Sequence, residues 1–441
     1  MPSNTPARAK VSNRIRKALR SLLIGLVAVF AGIGGLAGPD ATGEALAQSR
    51  DGAAPIYLHN AHLYDATMSE PSPPRTIVIR DGRIAEISEE TSAPPEDATV
   101  VDLEGRFVLP GLFDMHAHPA DLDAIERALR SGVTTLRSMS VDGFTDVAMR
   151  DLVRSGKIAG PGILAAGVFV QPRLPRNGAI LKDPRLAQFI DREVWSPDDL
   201  ATLVNIDIDR GVDWIKTRAT ERGGLKETDP RQQVYTESEL RVIVETAAAR
   251  DVPVAVHAHG DEGMRAAVLA GARSIEHGTY ASPETIAEMV ERGTYLVPTI
   301  AVVRDLSEVG GDYDSPVLQI RGRHMLPTVR QMAANAKAAG VTILPGTDTS
   351  YQPHGTLRLG HELEEFVGIG LTPHEAIRAA TLDAAEMMGL ADRTGRLATG
   401  FEADIIVVDG NPLQDIRQVQ DVLLVISNGH LAVNRLPFGR Q

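Results

Sequence analysis

From Gly111 to about Leu390, short apolar segments alternate with longer amphipathic ones, and this alternation limits the possible folds more than any other feature. Such alternation is typical of parallel βα units. The candidate strands are LFDMH, TTLRSM, GILAAG, WIKTRA, PVAVHAH, SIEHGT, YLVPTI and TILPGTD. Because a closed barrel of this type needs eight parallel strands, the sequence predicts an α/β fold with a (β/α)8 TIM barrel over residues 111–394.

Helix boundary signals support these units. Thr236 and Glu239 have the spacing of a capping box, in which two side chains satisfy the free backbone groups at a helix start. Glycines stand where three helices are expected to end, at Gly271, Gly293 and Gly340.

The segments on either side of the predicted barrel have a different pattern. Residues 48–110 and 395–441 contain short β-type runs separated by turns. Asp81-Gly82 and Asn428-Gly429 have the composition of two-residue hairpin turns. Two β-rich ends around a different middle predict one small β-sandwich domain formed from the N- and C-terminal segments.

Residues 1–47 have the pattern of a signal peptide. A basic start precedes an apolar stretch from Leu22 to Leu36, and Ala45-Leu46-Ala47 provides a small-x-small cleavage site. We expect cleavage after Ala47 and an exported protein, periplasmic or secreted. The alternative is a retained membrane anchor, which is the only route to membrane association that the sequence suggests.

Charge and cysteine content restrict partners and ligands. The formal net charge of the 441-residue chain is −13, and removing the 6 basic and 2 acidic residues of the leader makes it −17, so nucleic acid is not an expected partner. The chain contains no cysteine, which excludes disulfides and thiolate metal ligands. Any metal must be held by histidine, carboxylate or a modified lysine.

Potential ligands stand at the ends of several predicted strands. In a (β/α)8 barrel the carboxyl ends of the strands converge on one face. His116 and His118 alternate along a strand, so both imidazoles point to the same side and can chelate one cation. A single strand histidine has a simpler interpretation as a hydrogen-bonded core residue. The full set of strand-end candidates is His116, His118, Lys216, His257, His277 and Asp348.

Several longer motifs follow one another along the chain: LPGLFDMHAH, GVDWIKTRA, VAVHAHG, SIEHGT, LVPT, ILPGTDTS, EAIRAATLDAAEMMGL and GRLATGFEADIIVVDGNP. With these motifs the chain resembles the amidohydrolase superfamily, and within it the imidazolonepropionase-like branch that includes metal-dependent dipeptidases. The resemblance covers nearly everything after the leader. It implies a site for two divalent metal ions, with Zn²⁺ expected first, although nitrogen and oxygen ligands also accept Mn²⁺ and Co²⁺.

The resemblance also implies ligand roles. His116, His118 and Asp348 would bind the more buried ion. His257 and His277 would bind the other.

Lys216 would bridge both ions as a carboxylated lysine. A lysine that is deprotonated in an apolar setting can take up carbon dioxide as a carbamate, and Trp214 and Ile215 supply such a setting. The alternative is a charged amine that pairs with an acid such as Asp348.

The expected nucleophile is a hydroxide shared by the two metals. Asp348 would take its proton and pass it to the leaving nitrogen, acting as general base and then general acid.

Two further residues are expected to act on the substrate. His259 follows His257 by two positions and so should face the site, either as a substrate group or with the roles of the two histidines exchanged. Tyr235 resembles a tyrosine that lies over the substrate carbonyl in related dipeptidases, where a phenol stabilises an oxyanion. A loop tyrosine packed on the barrel rim is the alternative.

The substrate pocket is less clearly indicated. Arg218 and Arg222 are both candidates to bind a substrate carboxylate, and the preferred interpretation of Arg222 is a solvated loop arginine. His354 is expected to line the pocket. Residues 171–195 and the segment GGDYDSP near Gly310 are expected to form long loops that shape the pocket. The Gly-Gly pair usual in related dipeptidases is absent from SMSVDGFTD and GVFVQPRLPRNG, so dipeptidase specificity does not transfer.

Together these features predict hydrolysis of a C–N amide bond in a small molecule, which is a dipeptide, an N-acyl amino acid or a cyclic amide. Hydrolysis of an ester, lactone or phosphotriester at the same site is the first alternative. A non-catalytic ligand-binding relative is the second. A homo-oligomer is compatible with the sequence but not specifically indicated by it.

Overall fold

The computed structural model describes residues 54–89 and 93–436. The predicted signal peptide and its cleavage site lie outside the described residues. Across the described ranges, no helix has the length and apolar character needed to cross a membrane.

In chain order, the described strands are β1 (Ile56–Leu63), β2 (Pro74–Arg80), β3 (Arg83–Ser88), β4 (Thr99–Asp102), β5 (Phe107–Pro110), β6 (Leu112–Ala117), β7 (Val133–Ser138), β8 (Gly162–Leu164), β9 (Ile215–Arg218), β10 (Val254–Ala258), β11 (Ser274–His277), β12 (Tyr295–Val297), β13 (Ile405–Val408), β14 (Val422–Ser427) and β15 (His430–Asn434).

The described α-helices are α1 (Leu122–Arg130), α2 (Thr145–Arg154), α3 (Gly178–Lys182), α4 (Pro184–Ala187), α5 (Pro197–Asp209), α6 (Glu237–Ala248), α7 (Asp261–Ala270), α8 (Pro283–Arg292), α9 (Ile300–Ser307), α10 (Pro316–Ala339), α11 (Leu359–Gly368), α12 (Pro373–Ala379) and α13 (Leu382–Met387). A 3₁₀ helix follows at Ile416–Gln420.

The two β-rich ends of the chain form one sheet, in the order β15-β14-β13-β5-β1-β2-β3, with β4 paired to β1. Antiparallel pairing of β5 with β13 joins the N- and C-terminal segments. Both predicted hairpin turns are present, and in each pair the two residues have positive φ, 51° and 77° at Asp81-Gly82 and 50° and 79° at Asn428-Gly429. Continuous pairing of all eight strands does not show a two-sheet sandwich, which stays a prediction.

The middle of the chain forms parallel strands connected by helices. One sheet has the order β6-β7-β8 and a second has the order β12-β11-β10-β9. Isolated parallel bridges extend these sheets, between Val170 and Thr217, between Leu296 and Ile343, and between Ala117 and Thr349. The α/β class is therefore confirmed.

The eighth predicted strand, TILPGTD, is not continuous in the structure. Ile343 and Thr349 each form only an isolated bridge. Pro345 has no N–H to give to a neighbouring strand, and Asp348 has a φ of 51°, which is outside the extended region. The segment is instead held against β6 by hydrogen bonds from Met115 N to Pro345 O (3.0 Å) and from Asp348 N to His116 O (2.7 Å).

Helix caps agree with the sequence. Thr236 and Glu239 form both hydrogen bonds of the predicted capping box at the start of α6. Helices α7, α8 and α10 end at left-handed glycines, Gly271, Gly293 and Gly340. These signals position the helices between the strands that carry the candidate ligands.

A buried carboxylate ties β6 to the irregular eighth segment. Asp114 is fully buried and accepts four hydrogen bonds, from His116 N (3.1 Å), Thr347 N (3.0 Å), Thr347 Oγ1 (2.7 Å) and Tyr351 OH (2.7 Å). Because the segment lacks a regular strand ladder, this carboxylate supplies much of its attachment.

We expect Asp114→Ala to lower the free energy of unfolding by about 3 kcal/mol, because it leaves several buried donors without partners. Urea unfolding of both proteins measures the difference. Asp97→Ala, at an exposed turn, is the control and should change stability by less than about 0.5 kcal/mol. Equal effects of the two substitutions would contradict the role assigned to Asp114.

Candidate metal centre

The six strand-end residues predicted from the sequence converge in the structure. All of them line one cavity of about 400 Å³. They are His116 and His118 at the end of β6, Lys216 in β9, His257 in β10, His277 at the end of β11, and Asp348 in the irregular eighth segment.

Asp348 lies at the centre of this group. Its Oδ1 is 3.4 Å from His116 Nε2 and 3.2 Å from His118 Nε2, and its Oδ2 is 4.0 Å from His277 Nδ1. One group of potential ligand atoms, all within 4.8 Å of one another, comes from His116, His277 and Asp348. This spacing is compatible with a shared cation.

A second such group within 4.8 Å comes from His257, His259 and His277. The rings of His257 and His277 are 4.5 Å apart, and those of His259 and His277 are stacked at 4.7 Å. The structure thus places His259 as close to the possible ligands as His257, and both alternatives left open by the sequence fit this arrangement.

Hydrogen bonds orient the two histidines of β6. His116 Nδ1 donates to Glu276 Oε2 (2.8 Å), and His118 Nδ1 donates to the backbone oxygen of Ser140 (2.8 Å). Since carboxylate and carbonyl oxygens only accept, each ring carries its proton on Nδ1 and leaves the Nε2 lone pair toward Asp348. Such partners usually fix the ligand form of a metal-binding histidine.

The other histidines are oriented in the same manner. His257 Nε2 donates to Glu221 O (3.1 Å), which leaves its Nδ1 as the potential ligand atom. His277 Nδ1 lies 2.7 Å from Thr299 Oγ1, and His259 Nδ1 lies 2.8 Å from Thr279 Oγ1.

Burial keeps these imidazoles neutral. It lowers the pKa of His116 to about 4 and that of His259 to about 3. Burial also holds the pKa values of His257 and His277 well below the usual 6.5. A neutral imidazole has the lone pair that metal binding needs.

The Lys216 side chain is buried in the wall of this cavity. It is 1% exposed, and its Nζ has no hydrogen-bond partner among the described residues. Burial lowers the pKa of its amine to about 8. Within the described part of the chain, no carboxylate forms an ion pair with Lys216, so the alternative pairing with Asp348 finds no support.

Backbone strain is concentrated at the site. His277, Asp348, Thr299 and Ser140 have φ values of 76°, 51°, 49° and 87°, a region that side chains other than glycine rarely adopt. Such strain is commonly found where function requires a particular geometry.

A buried ion pair beneath the site was missed by the sequence analysis. Arg137 and Glu276 are both fully buried, with Arg137 Nη2 2.8 Å from Glu276 Oε1. Arg137 Nε donates to Met115 O (2.7 Å), and its guanidinium lies 4.7 Å from the centre of the Trp214 ring. Two features of the sequence could have indicated this pair. They are a charged residue inside the apolar segment TTLRSM and a glutamate next to His277.

The predicted pocket loop near Gly310 also lies at the site, within residues 308–315. Tyr313 lines the cavity, and its OH donates to the backbone oxygen of Asp348 (3.0 Å).

The two arginines after Lys216 are placed opposite to expectation, because Arg222 and not Arg218 lines the cavity. Arg218 does not line the cavity, and its Nη1 is 2.9 Å from Glu221 Oε2. Arg222 lines the cavity, so the expectation of a solvated loop arginine is wrong. The reason is Phe169, over which the Arg222 guanidinium packs at 5.4 Å from the ring centre.

Two other predicted residues do not reach the cavity wall. Tyr235 is fully buried, and its OH donates to Val194 O (2.9 Å), so the hydroxyl is already used. Burial also raises the pKa of Tyr235. His354 is exposed and does not line the cavity. The structure does not support the substrate roles predicted for these two residues.

The predicted loop of residues 171–195 forms part of the cavity wall. Gln171, Pro175 and Ile180 line the cavity, and the segment contains the short helices α3 and α4 rather than an open loop.

Glu362 supports the site from α11. Its carboxyl accepts from Ile300 N (2.9 Å) and Ala301 N (2.6 Å) at the start of α9. Thr299, which contacts His277, immediately precedes that helix. Burial raises the pKa of Glu362 to about 8.

The amino-acid sequence of this chain matches a protein family and several known enzymes. Residues 107–432, which include all six strand-end candidate residues, match the sequence profile of the amidohydrolase family. Ochratoxinase from Aspergillus niger is 29% identical over 394 residues, covering 80% of this chain and 81% of that protein. Imidazolonepropionase from Brucella abortus is 26% identical over 369 residues, covering 76% of this chain and 86% of that protein.

Among solved structures, a Xaa-Pro dipeptidase with methionine bound in its active site is similar, with a TM-score of 0.74 at 30% identity. The match covers 86% of this chain and 99% of the dipeptidase.

The raised pKa of Glu362 predicts a pH-dependent stability. Between its usual 4.5 and about 8, folded Glu362 keeps a proton that the unfolded chain has released, so stability falls as pH rises through this range. We expect the wild type to lose about 3 to 5 kcal/mol relative to Glu362→Gln, which cannot ionise. Urea unfolding at pH 5, 6, 7 and 8 measures this difference.

Glu227→Gln, at an exposed position, is the matched control and should keep the wild-type slope. Identical slopes for wild type and Glu362→Gln would refute the assignment.

Proposed function

The chain belongs to the amidohydrolase family and is an enzyme acting on C–N bonds, and from that membership we propose that it hydrolyses a dipeptide or an N-acyl amino acid in the cavity described above. The observation that carries the proposal is the meeting of six strand-end side chains around one cavity. We also infer that the parallel strands close as a (β/α)8 barrel, which the three isolated bridges support.

The residues present fit two divalent cations, Zn²⁺ first. Neutral buried imidazoles and a carboxylate are suitable donors. The Nζ of Lys216, which has no hydrogen-bond partner within residues 54–89 and 93–436, is the atom that a carbamate would use. In that step the neutral amine adds to carbon dioxide, forming an N–C bond and releasing one proton. The residues that would hold the cations are His116, His118, Lys216, His257, His277 and Asp348.

Bound cations would supply Lewis acidity, polarising the scissile carbonyl and lowering the pKa of the attacking water. The protein's own acid–base group is Asp348. Burial alone would raise its pKa, but His116 and His118 outweigh burial and hold the pKa below the usual value. Asp348 is therefore ionised at neutral pH, can accept the proton of the water, and can return it to the leaving nitrogen.

His259 is the next candidate for contact with the substrate. It is buried, neutral and part of the cavity wall, whereas Tyr235 is bonded elsewhere. We propose that His259 orients the substrate carbonyl beside the acid–base group. The buried pair of Arg137 and Glu276 holds His116 in its tautomer and so acts through positioning.

The similar structure supports the choice of substrate class. It is a Xaa-Pro dipeptidase and holds a free amino acid, methionine, in its active site. This favours a dipeptide or an N-acyl amino acid over a cyclic amide, an ester, a lactone or a phosphotriester. Export through the predicted leader would place the activity in the periplasm or outside the cell.

We expect Asp348→Asn to lower kcat by at least about a thousandfold, because the amide cannot accept the proton of the attacking water. A panel of dipeptides, N-acyl amino acids, lactams, esters and phosphotriesters measures the activity, with metal content determined for each protein. Asp191→Asn, at an exposed site paired with Arg176, serves as the control. Turnover that survives unchanged in Asp348→Asn would rule out the proton-transfer role.

We expect the purified protein to contain about two metal ions per chain after growth with zinc. Lys216→Met should reduce this number and abolish turnover, because methionine cannot form a carbamate. Exposed Lys157→Met should keep the full content. Elemental analysis provides the measurement, and well under two metals per wild-type chain would count against the site.

A further inference from the structure

Two arginines follow Lys216 closely, and their charges are balanced differently. Arg218 is neutralised by Glu221 at 2.9 Å and lies outside the cavity wall. Arg222 lies in the cavity wall, and within the described part of the chain no carboxylate comes within 4.0 Å of its guanidinium. A partly buried cation without a paired anion is costly unless a ligand completes it.

The guanidinium of Arg222 is held in place but keeps unused donors. It packs over Phe169 at 5.4 Å, and Nη2 donates to Gln171 Oε1 at 3.3 Å. Its Nε is buried without a partner among the described residues. A guanidinium has five N–H donors in a planar fork, a shape that matches a carboxylate.

The loop that carries Arg222 is also fixed from outside the site. Arg321 of α10 donates to three backbone oxygens of this loop, Gly223 O (2.7 Å), Leu225 O (2.5 Å) and Thr228 O (2.6 Å). The position of Arg222 is thus set before any ligand arrives, which lowers the entropy cost of binding.

The rest of the cavity wall indicates what surrounds the anion. The cavity wall contains two carboxylates that could balance the charge of Arg222. Asp348 is the proposed acid–base group, and Asp142 is exposed and accepts a hydrogen bond from Asn177 Nδ2 (2.8 Å). The apolar part of the wall consists of Val141, Val168, Phe169, Ile180, Leu225, Val302, Val303, Leu306 and Met325.

We propose that Arg222 binds the free carboxylate of the substrate, so that the preferred substrates are dipeptides or N-acyl amino acids with an apolar C-terminal residue. The assignment rests on the proposed amide hydrolysis at this cavity. Arg222 acts in specificity, since it contacts the carboxylate and not the scissile bond.

The test compares L-alanyl-L-leucine with L-alanyl-L-leucinamide, which differ only in the charge at the C-terminus. The wild type should favour the free carboxylate by at least about tenfold in kcat/KM. Arg222→Met should lower kcat/KM for the carboxylate substrate by about 10- to 100-fold and change that for the amide by less than about threefold. Arg222→Lys should lie between, because lysine keeps the charge but not the fork.

Arg173→Met is the matched control, since Arg173 is an exposed arginine of the segment that supplies Gln171 and pairs with Glu193. It should keep the wild-type preference. Thermal unfolding and metal content of each variant show whether the fold and the site are intact.

Binding gives a readout that does not depend on turnover. Calorimetric titration should show L-leucine bound more tightly than L-leucinamide by the wild type, and the difference should disappear in Arg222→Met. Equal losses for both ligands, or no preference in the wild type, would overturn the role of Arg222. Turnover of amides without a carboxylate preference would remove this inference alone, whereas absence of turnover with every amide would remove the proposed function.

Discussion

The Glu276 carboxylate accepts a hydrogen bond from Arg137 on one oxygen and from His116 on the other, with no exposure to solvent. This carboxylate joins β7, β11 and β6 beneath the cavity. Losing either partner would leave a buried charge uncompensated, at a cost of several kcal/mol. The same carboxylate fixes the His116 proton on Nδ1. One buried ion pair therefore holds the strands together and keeps the His116 Nε2 lone pair directed toward Asp348.

Two polar side chains of the cavity wall lack hydrogen-bond partners for some of their donor atoms. The Lys216 amine has no partner, and the Arg222 guanidinium has only one side-chain hydrogen bond among the described residues. Lys216 is buried and Arg222 is partly buried, and no residue described by the structure accepts a hydrogen bond from Lys216 Nζ or Arg222 Nε. A ligand would explain the missing partners in both places. Lys216 would react with carbon dioxide and bind cations, and Arg222 would bind a substrate carboxylate.

Much of this site could be predicted from the sequence, because it depends on periodicity. Strand residues alternate in direction and parallel strands end on one face, so His116, Lys216 and His257 were predictable from their own segments. The environment of Arg222 was not, since it depends on Phe169 from a distant loop. The hydroxyl of Tyr235 is likewise used by a backbone oxygen 41 residues earlier in the chain, which no local pattern indicates.

We propose that the six strand-end side chains would hold two cations, with a carboxylated Lys216 as one of the ligands. Anomalous X-ray diffraction at the zinc edge, from crystals of the purified protein grown with zinc, tests it most directly. We expect two anomalous peaks among these side chains and added density for a carboxylate on the Lys216 Nζ. A single peak, no peak, or an unaltered Lys216 amine paired with a carboxylate would contradict it.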